Sequence, residues 1–329
     1  MIIETSKFLQ FRRKNEIYLV ECLNQKKIFK ISKPALDIIY FFKTPGTIKN
    51  LSKSLTTTYN ITDLLVFCEN LIELNILIKS DNKEYKKQVN TAKKLSYGGW
   101  DKDYKFHIFT NDYVFGDYSE NGKGREKSRV LMKKYSDIKK DNNRYKSFKK
   151  ILSSKTLKKP GEIDINSDIS FLDALSLVNC KMSETNLTRW KGAPLIRRSS
   201  PSGGARHPIE TYIVIKNRFE GLETGIYHLN FGEFKLDKIT NEASNIDCDI
   251  KLIFSSLPLR NMYRYRESRT MRSIHMDCGH LLENNAQLLS SIGFKCTMAF
   301  ENEDEAFSNL GIDSFFETYM VTLKVNYEQ

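Results

Sequence analysis

The first 85 residues carry apolar and polar positions in an order that predicts short strands followed by three helices. Residues 16–21 and 27–31 are rich in β-branched and aromatic side chains, which is typical of strands. The predicted helices are residues 34–42, 47–57 and 61–74, where apolar side chains recur at helical spacing. Residues 76–78 could then begin a wing. This order predicts a winged-helix-like domain over residues 1–85.

Two binding roles are open for such a domain. Winged helices bind DNA in many proteins, and a similar fold serves as the leader-peptide recognition element of peptide-modifying enzymes. The third predicted helix carries Asp63, Glu69 and Glu73 and no basic run, which favours peptide over DNA. A docking module that only supports a dimer is the remaining alternative.

Residues 86–150 are rich in lysine and predict a basic, solvated linker with an embedded helix. A positive surface that attracts an acidic leader peptide is the second interpretation. The cations of this region include Lys123, Arg125, Lys127, Arg129, Lys133, Lys134, Lys139, Lys140, Lys146, Lys149 and Lys150.

Residues 151–329 change to a pattern of helices mixed with strands. An amphipathic helix is predicted near residues 169–178 and a long helix at 277–292. The predicted strands are residues 210–216, 225–229 and 318–325. Helices that flank a mixed or antiparallel sheet give the α+β class.

Composition limits the functions that this chain can have. Lys plus Arg number 52 against 40 Asp plus Glu, a net charge of +12 that favours an anionic partner such as nucleic acid, a phosphate-bearing cofactor or an acidic peptide. No apolar run reaches the roughly 18 residues of a membrane span, and the first residues lack a signal-peptide core, so we expect a cytoplasmic protein. The six cysteines are scattered without a Cys-x-x-Cys pair, which predicts neither a disulfide scaffold nor a metal site.

The segment from Arg197 to Glu210, RRSSPSGGARHPIE, carries the most chemical information. Paired glycines after a Pro-Ser turn let backbone N–H groups approach a flat or anionic ligand closely, and two guanidinium groups stand beside them. The pattern is neither a Walker A loop nor a dinucleotide-binding fingerprint. From spacing alone, an ordinary turn before a strand is an equal alternative.

This segment resembles the P-S-x-G-x-x-x-P-x-E signature of SagB-type peptide dehydrogenases, the thiazole- and oxazole-forming oxidases of the nitroreductase superfamily. Three further stretches agree in order: Trp100 with FHIFTND around His107, GIYHLN from Gly225, and DCGHLLEN from Asp277, which is similar to a D-x-G-H-L-x-x-N helix start. The resemblance covers roughly residues 95–325.

The resemblance implies a nitroreductase-like fold and an intertwined homodimer with FMN bound at two shared sites. Pro201, Ser202, Gly203 and Gly204 would line the isoalloxazine, and Arg197 or Arg198 would face its electron-rich edge or the ribityl chain. Relatives bind the flavin phosphate through Arg-x-Ser-x-Arg on the first catalytic helix. The candidate here is the weaker stretch SKTLK, with Lys155, Thr156 and Lys158.

The implied reaction is dehydrogenation of azoline rings in a ribosomally made peptide. It requires a base near the acidic C–H, and azoline dehydrogenases are associated with a Lys-Tyr pair. The corresponding positions here are Tyr265 and Arg266, so the lysine is absent and Tyr265, beside guanidinium groups, is the predicted proton-handling residue. His207 is a further catalytic candidate near the turn, whereas His280 is predicted to be structural.

Three functions therefore stay open. The leading hypothesis is oxidation of a modified peptide whose leader the N-terminal domain holds, with other peptide-modifying enzymes as possible partners. The altered Lys-Tyr pair leaves room for a flavin-dependent reductase or dehydrogenase of a dehydroamino acid or another peptide-derived substrate. A non-enzymatic winged-helix regulator or scaffold is the third hypothesis, and it alone would involve nucleic acid.

Overall fold

The structure is a computed structural model in which the chain divides into two units, Met1–Phe115 and Gly116–Gln329. It describes residues 1–329 except 16, 24, 26, 56–58, 112–123, 125, 129, 131–145, 147, 186–194, 244–245, 263–264, 266–268, 302–306, 308–309, 311, 314–315 and 328–329. Arg266 therefore lies outside the described residues. No helix in the described part of the chain is both long and apolar enough to cross a membrane.

Two small antiparallel sheets and a set of helices form the first unit. One sheet pairs β1 (Ile3–Thr5) with the later β5 (Leu77–Lys79), and the other joins β2 (Leu9–Lys14), β3 (Ile17–Cys22) and β4 (Lys27–Ile31) in that order. The helices between β4 and β5 are α1 (Lys33–Phe41), α2 (Ile48–Leu55) and α3 (Ile61–Glu73). The side chains of Ser32 and Asn60 accept backbone N–H groups at the starts of α1 and α3, which explains where these helices begin.

The strands and helices predicted for residues 1–85 are confirmed in type and order. Their apolar residues share one core, with Val20 of β3, Ile38 of α1 and Leu64 of α3 almost fully buried. The assignment of this unit to the winged-helix class, and any role in binding, remain predictions.

The lysine-rich region begins with two helices, α4 (Lys83–Tyr97) and α5 (Asp101–Thr110). Tyr85 and Val89, one turn apart on α4, are buried against Phe8 and Ile78 of the first unit. The predicted boundary at residue 85 consequently falls inside α4. A narrow apolar stripe is enough to fold this segment, although lysines dominate its composition.

A seven-stranded antiparallel sheet forms the centre of the second unit, in the order β13-β14-β12-β9-β10-β11-β6. Its strands are β6 (Ser153–Thr156), β9 (Ile209–Ile215), β10 (Gly225–Asn230), β11 (Lys235–Thr240), β12 (Ile250–Ser256), β13 (Phe294–Ala299) and β14 (Thr318–Tyr327); β7 (Ser183–Thr185) and β8 (Leu195–Arg197) form a separate pair. The helices are α6 (Phe171–Asn179), α7 (Pro258–Met262) and α8 (Thr270–Ser291). The predicted α+β class is confirmed.

Strand β9, which directly follows the glycine-rich segment, lies in the middle of this sheet and is buried along its whole length. Ile213 packs in the same core as Leu175 of α6 and Leu281 of α8, while Tyr212 packs in a second core with Ile253 and Phe307. Alternation along β9 thus places one set of side chains against α6 and α8 and the other set against the opposite layer. The glycine-rich segment leads directly into this buried central strand.

Candidate active site

The glycine-rich turn, residues 201–207, is hydrogen-bonded to helix α8 through one carboxylate. Asp277 accepts the Ser202 hydroxyl at 2.7 Å through Oδ2 and the Gly203 N–H at 2.9 Å through Oδ1. The Ser202 Oγ in turn accepts the His207 N–H at 2.9 Å. Because the Gly203 N–H is used within the chain, it is not available to a ligand, contrary to the expectation for that group.

Both glycines lie close to side chains of the same unit. A Cβ on Gly203 would lie 2.4 Å from the Ser273 Oγ of α8, and a Cβ on Gly204 would lie 2.3 Å from the Tyr265 hydroxyl. Gly204 also has φ of +63°, in the left-handed region that glycine adopts without strain. Close contact with Ser273 and Tyr265 therefore accounts for glycine at these two positions, whereas the approach of a flat or anionic ligand stays a prediction.

Hydrogen bonds of asparagine side chains also connect the turn and β9 to helices α6 and α8. The Asn284 side chain of α8 donates to the Ser200 Oγ at 3.0 Å. Asn179 of α6 donates to the Asn285 Oδ1 at 2.8 Å and accepts the Thr211 hydroxyl at 3.1 Å. The two sequence motifs, RRSSPSGG and DCGHLLEN, thus form one hydrogen-bonded unit although about 80 residues separate them.

Tyr265 is the predicted catalytic residue that the structure brings to the turn. It is half-buried, and its backbone N–H donates to the Asn261 carbonyl at 2.8 Å, which continues the end of α7. Its hydroxyl faces Gly204, 2.3 Å from where a Cβ at that residue would lie. A phenol at this place can exchange a proton with a molecule bound on the turn.

His207 occupies a different environment, although it belongs to the same turn. It is buried, has φ of +49°, and its Nε2 lies 2.9 Å from the Ile196 carbonyl oxygen, to which it donates. Burial, together with the charges of Arg198, Arg260 and Arg206, lowers the pKa of His207 to about 3. The imidazole is therefore neutral at ordinary pH and holds the turn in shape.

The lowered pKa of His207 predicts a loss of stability in acid. A histidine with a folded pKa of about 3 and an unfolded pKa near 6.5 contributes stability that is present above pH 6.5 and is lost as pH falls toward 3. Between pH 7 and pH 5 this amounts to about 2 kcal/mol of unfolding free energy. Urea titrations at both pH values measure it, and His207→Asn, which tolerates positive φ, should lack this component. An unchanged pH dependence in the variant would remove the assignment.

Arg260 links the turn to a buried charge pair on the opposite face of β9. Its Nη1 donates to the His207 carbonyl at 3.0 Å, and its Nη2 pairs with the Glu210 carboxylate, which also contacts the Nε2 of His228. All three of these side chains are buried. Burial alone would raise the pKa of Glu210, but Arg260 and His228 lower it to about 2. Glu210, the last residue of the signature, thus fixes the end of the turn through Arg260.

The predicted phosphate-binding residues lie elsewhere. Lys155 and Thr156 are on the exposed edge strand β6, not on a helix, and Lys158 follows it with its Nζ 2.9 Å from the Asp173 carboxylate. β6 is three strands from β9, roughly 14 Å, so one chain does not bring these residues to the glycine turn. The strand residues Ser153–Thr156 are all polar and exposed, which suits an edge strand and is a signal present in the sequence.

The remaining predicted residues surround the turn. Arg197, at the end of β8, and Pro201 are exposed, whereas Arg198 is half-buried with its guanidinium 3.4 Å from the centre of the Phe231 ring. His280 is exposed and lies inside α8, because that helix starts at Thr270, seven residues before the predicted start. Within the described residues, no group of three or more His, Cys, Asp or Glu side chains is arranged to hold a metal ion.

Two functional features were not found from the sequence. The Asp277 carboxylate was noted only as part of a motif, and Arg260 was not noted at all. The signal for Asp277 is an acidic residue in a helix segment between the buried Ile274 and Leu281, a position where an unpaired carboxylate would be costly. Arg260 has no comparable local signal, because its partners are distant in sequence.

Comparison with known proteins shows several similarities, although no family model matches the chain. The trifolitoxin-processing protein TfxB of Rhizobium leguminosarum bv. trifolii is 32% identical over 148 residues, covering 40% of this chain and 40% of that protein. A nitroreductase structure from Anabaena variabilis matches 59% of this chain and 46% of its own, with 19% identity and a TM-score of 0.44. A chain of the E. coli microcin synthetase McbBCD complex with truncated pro-MccB17 matches 57% of this chain and 80% of its own, with 16% identity and a TM-score of 0.37. The similarity to TfxB, of which the match spans two fifths, supports the resemblance that the motifs carry.

Proposed function

We propose that this chain, which resembles SagB-type members of the nitroreductase superfamily, is an FMN-dependent oxidoreductase that modifies a ribosomally made peptide. The observation that carries the proposal is the placement of the Tyr265 hydroxyl against Gly204, in a turn that Asp277 fixes to α8. The similarity to a toxin-processing protein supports the peptide as substrate. The proposed reaction is dehydrogenation of azoline rings to azoles.

The chemistry of the turn fits a flat cofactor with an electron-rich edge. Arg198, Arg206 and Arg260 all lie close enough to His207 to lower its pKa, and Arg197 is exposed beside them. Residues 202–206 are half-buried, so part of the turn is accessible to a bound ring beside the Tyr265 hydroxyl. The guanidinium groups would stabilise negative charge on that ring. When bound, FMN supplies the hydride acceptor for the oxidation.

Separate residues of the chain would bind the cofactor, transfer the proton and position the turn. Pro201, Ser202, Gly203 and Gly204, in the turn that Asp277 holds, would line the ring. Tyr265, as the phenolate, would accept the proton from the substrate carbon next to the one that loses hydride, because its oxygen faces Gly204 whereas Asp277 and His207 are bonded within the protein. His207 positions the turn, since it is buried and bonded to the Ile196 carbonyl.

Purification and reconstitution test the proposal directly. The protein is expected to be yellow, or to bind added FMN in a one-to-one ratio with the chain, and to elute as a dimer in light scattering. It is then incubated with an azoline-containing peptide, and a mass decrease of two hydrogens is sought. A chain that takes up no FMN would contradict the cofactor, and would favour a scaffold.

Because the lysine of the Lys-Tyr pair is absent, a second flavin reaction is also a candidate. Reduction of a dehydroamino acid needs the same hydride geometry and a proton donor rather than a base, and a tyrosine can donate as well as accept. The two reactions change peptide mass in opposite directions. Mass spectrometry of both substrate types with the same enzyme therefore decides between them.

The edge strand β6 provides a test of phosphate binding. If Lys155 contacts the FMN phosphate in the assembled dimer, Lys155→Ala should raise the Kd for FMN by about tenfold and weaken its dependence on salt. Lys235→Ala is the matched control, because Lys235 is the cross-strand neighbour of Thr156 and pairs with Glu233. Fluorescence titration with FMN gives both values, and equal affinities for the two variants would remove Lys155 from the site.

A further inference from the structure

Asn261 of α7 carries a buried amide that the fold leaves without a hydrogen bond. Its side chain has no exposed surface, and neither the amide nitrogen nor the amide oxygen has a hydrogen-bond partner among the described residues. Burial of such a group is costly, because it gives up its hydrogen bonds to water and gains none in return. Unpartnered buried amides are rare in folded proteins, and a ligand or a water molecule that binds there is a usual reason for one.

Two hydrogen bonds hold α7 against the end of the glycine-rich turn. The Leu257 N–H, directly before the helix, donates to the Pro208 carbonyl at 2.8 Å. The Arg260 guanidinium donates to the His207 carbonyl at 3.0 Å. Asn261 follows Arg260 directly, so its amide belongs to the same part of the unit as the turn.

Tyr265 relates Asn261 to the centre of the turn. Its N–H donates to the Asn261 carbonyl at 2.8 Å, which is the bond between residues four apart in a helix, so the two side chains lie on the same side of the backbone. The Tyr265 hydroxyl reaches Gly204. The unpartnered amide is thus one helical turn from the side chain that contacts the residues proposed to hold the flavin ring.

The chemistry of the amide limits what can satisfy it. Its nitrogen donates hydrogen bonds and its oxygen accepts them, so a complete partner must offer an acceptor and a donor side by side. The pyrimidine end of a flavin ring has an N–H at N3 between two carbonyl oxygens, which is this arrangement. Asparagine pairs with the edge of adenine through two parallel hydrogen bonds of the same kind. A phosphate or a carboxylate has acceptors alone and would leave the amide oxygen without a donor.

We infer that Asn261 binds the pyrimidine edge of the FMN ring, with Oδ1 accepting from the N3–H and Nδ2 donating to a neighbouring ring carbonyl. This inference rests on the proposed function, because that function makes FMN the cofactor. It assigns the recognition of the ring to α7, in addition to the turn. Because Asn261 has no exposed surface, a side chain that covers the amide must move when the ring binds.

Two flavins test the contact: FMN, and FMN methylated at N3, which lacks the N–H. Each is titrated into the flavin-free full chain, and binding is measured by flavin fluorescence. The unmodified chain should bind FMN at least about tenfold more tightly than the methylated form. Asn261→Leu has a similar volume and no amide, so it should bind FMN about tenfold more weakly and should no longer distinguish the two flavins.

Unfolding in urea without added flavin gives a second measurement. Asn261→Leu should keep or raise the urea midpoint, because it removes two unpartnered polar groups from a buried position. Asn285→Leu is the matched control: Asn285 is almost as fully buried, but its amide donates to the Leu281 carbonyl at 2.7 Å and accepts from Asn179 at 2.8 Å. This control should lower the midpoint and retain the preference for FMN over the methylated form.

The results separate this inference from the proposed function. If Asn261→Leu binds FMN as tightly as the unmodified chain does, the contact is refuted while the cofactor stands. The contact is also refuted if Asn261→Leu still prefers FMN over the methylated form, or if its urea midpoint falls as far as that of Asn285→Leu. An unmodified chain that takes up neither flavin contradicts the cofactor, and with it both the proposed function and this assignment.

Discussion

Replacing Tyr265 with Phe is expected to lower turnover by about 10²-fold or more while FMN content and fold are retained. The substitution removes only the hydroxyl, which faces Gly204 at the turn proposed to hold the flavin ring. Without it, no phenolate oxygen is present to take the proton from the substrate carbon as hydride leaves the neighbouring carbon. Turnover is measured by mass spectrometry of the peptide product, and FMN content by absorbance.

Tyr319→Phe is the matched control for this variant. Its hydroxyl accepts the Glu301 N–H at 3.0 Å, in the second unit but outside the turn and α7. This hydroxyl also donates to the Ala299 carbonyl at 3.3 Å and lies 3.1 Å from the Thr322 Oγ1. The variant should keep turnover within about twofold of the unmodified enzyme, since these partly exposed contacts lie outside the turn. Equal turnover for Tyr265→Phe and the unmodified enzyme would exclude a proton-transfer role for Tyr265.

Replacing Glu210 with Gln is expected to lower the free energy of unfolding of the second unit by about 3–5 kcal/mol. The substitution keeps the volume but removes the charge that compensates Arg260, which is itself buried and bonded to the His207 carbonyl. A buried guanidinium without its carboxylate bears the full cost of desolvation. Hydrogen exchange of the β9 amides reports this change within the second unit.

Glu301→Gln is the comparison for that experiment. Glu301 pairs with Lys251 and Lys324, but its side chain is 22% exposed, so solvent screens the charges that remain. It should change the exchange of β9 amides far less than Glu210→Gln does. A stability loss of the same size in both variants would mean that Glu210 is no more than an ordinary ion-pair partner.

The predicted helices and strands agree best with the structure where apolar residues recur at helical spacing or form an unbroken run. α3 carries Leu64, Cys68 and Leu71 at helical spacing, and β9 is buried along its length, so both were predicted within one residue of their starts. α8 was predicted to start seven residues late, because Ile274 is the one apolar residue of its first turns that is buried. Local periodicity is weak where a helix end packs against polar groups.

The candidate site was predicted only in part. The glycine turn and Tyr265 were identified from motifs, and the structure brings them together. The placement of SKTLK on the first catalytic helix was wrong, since Ser154, Lys155 and Thr156 belong to an edge strand and Leu157 and Lys158 follow it. The partners of His207 could not be predicted, because the Arg260 and Ile196 groups come from other parts of the chain.

The sequence by itself determined the three helices of residues 34–74, the positions of β9, β10 and β14, and the cationic character of the glycine-rich segment. These properties depend on each residue and its near neighbours, through side-chain periodicity, backbone freedom and charge. Tertiary structure alone decided that Asp277 takes the Gly203 N–H, that Tyr265 faces Gly204, and that the phosphate candidates lie at the far edge of the sheet. Such contacts join residues tens of positions apart, and only the packing of α7 and α8 against β9 brings them within hydrogen-bond distance.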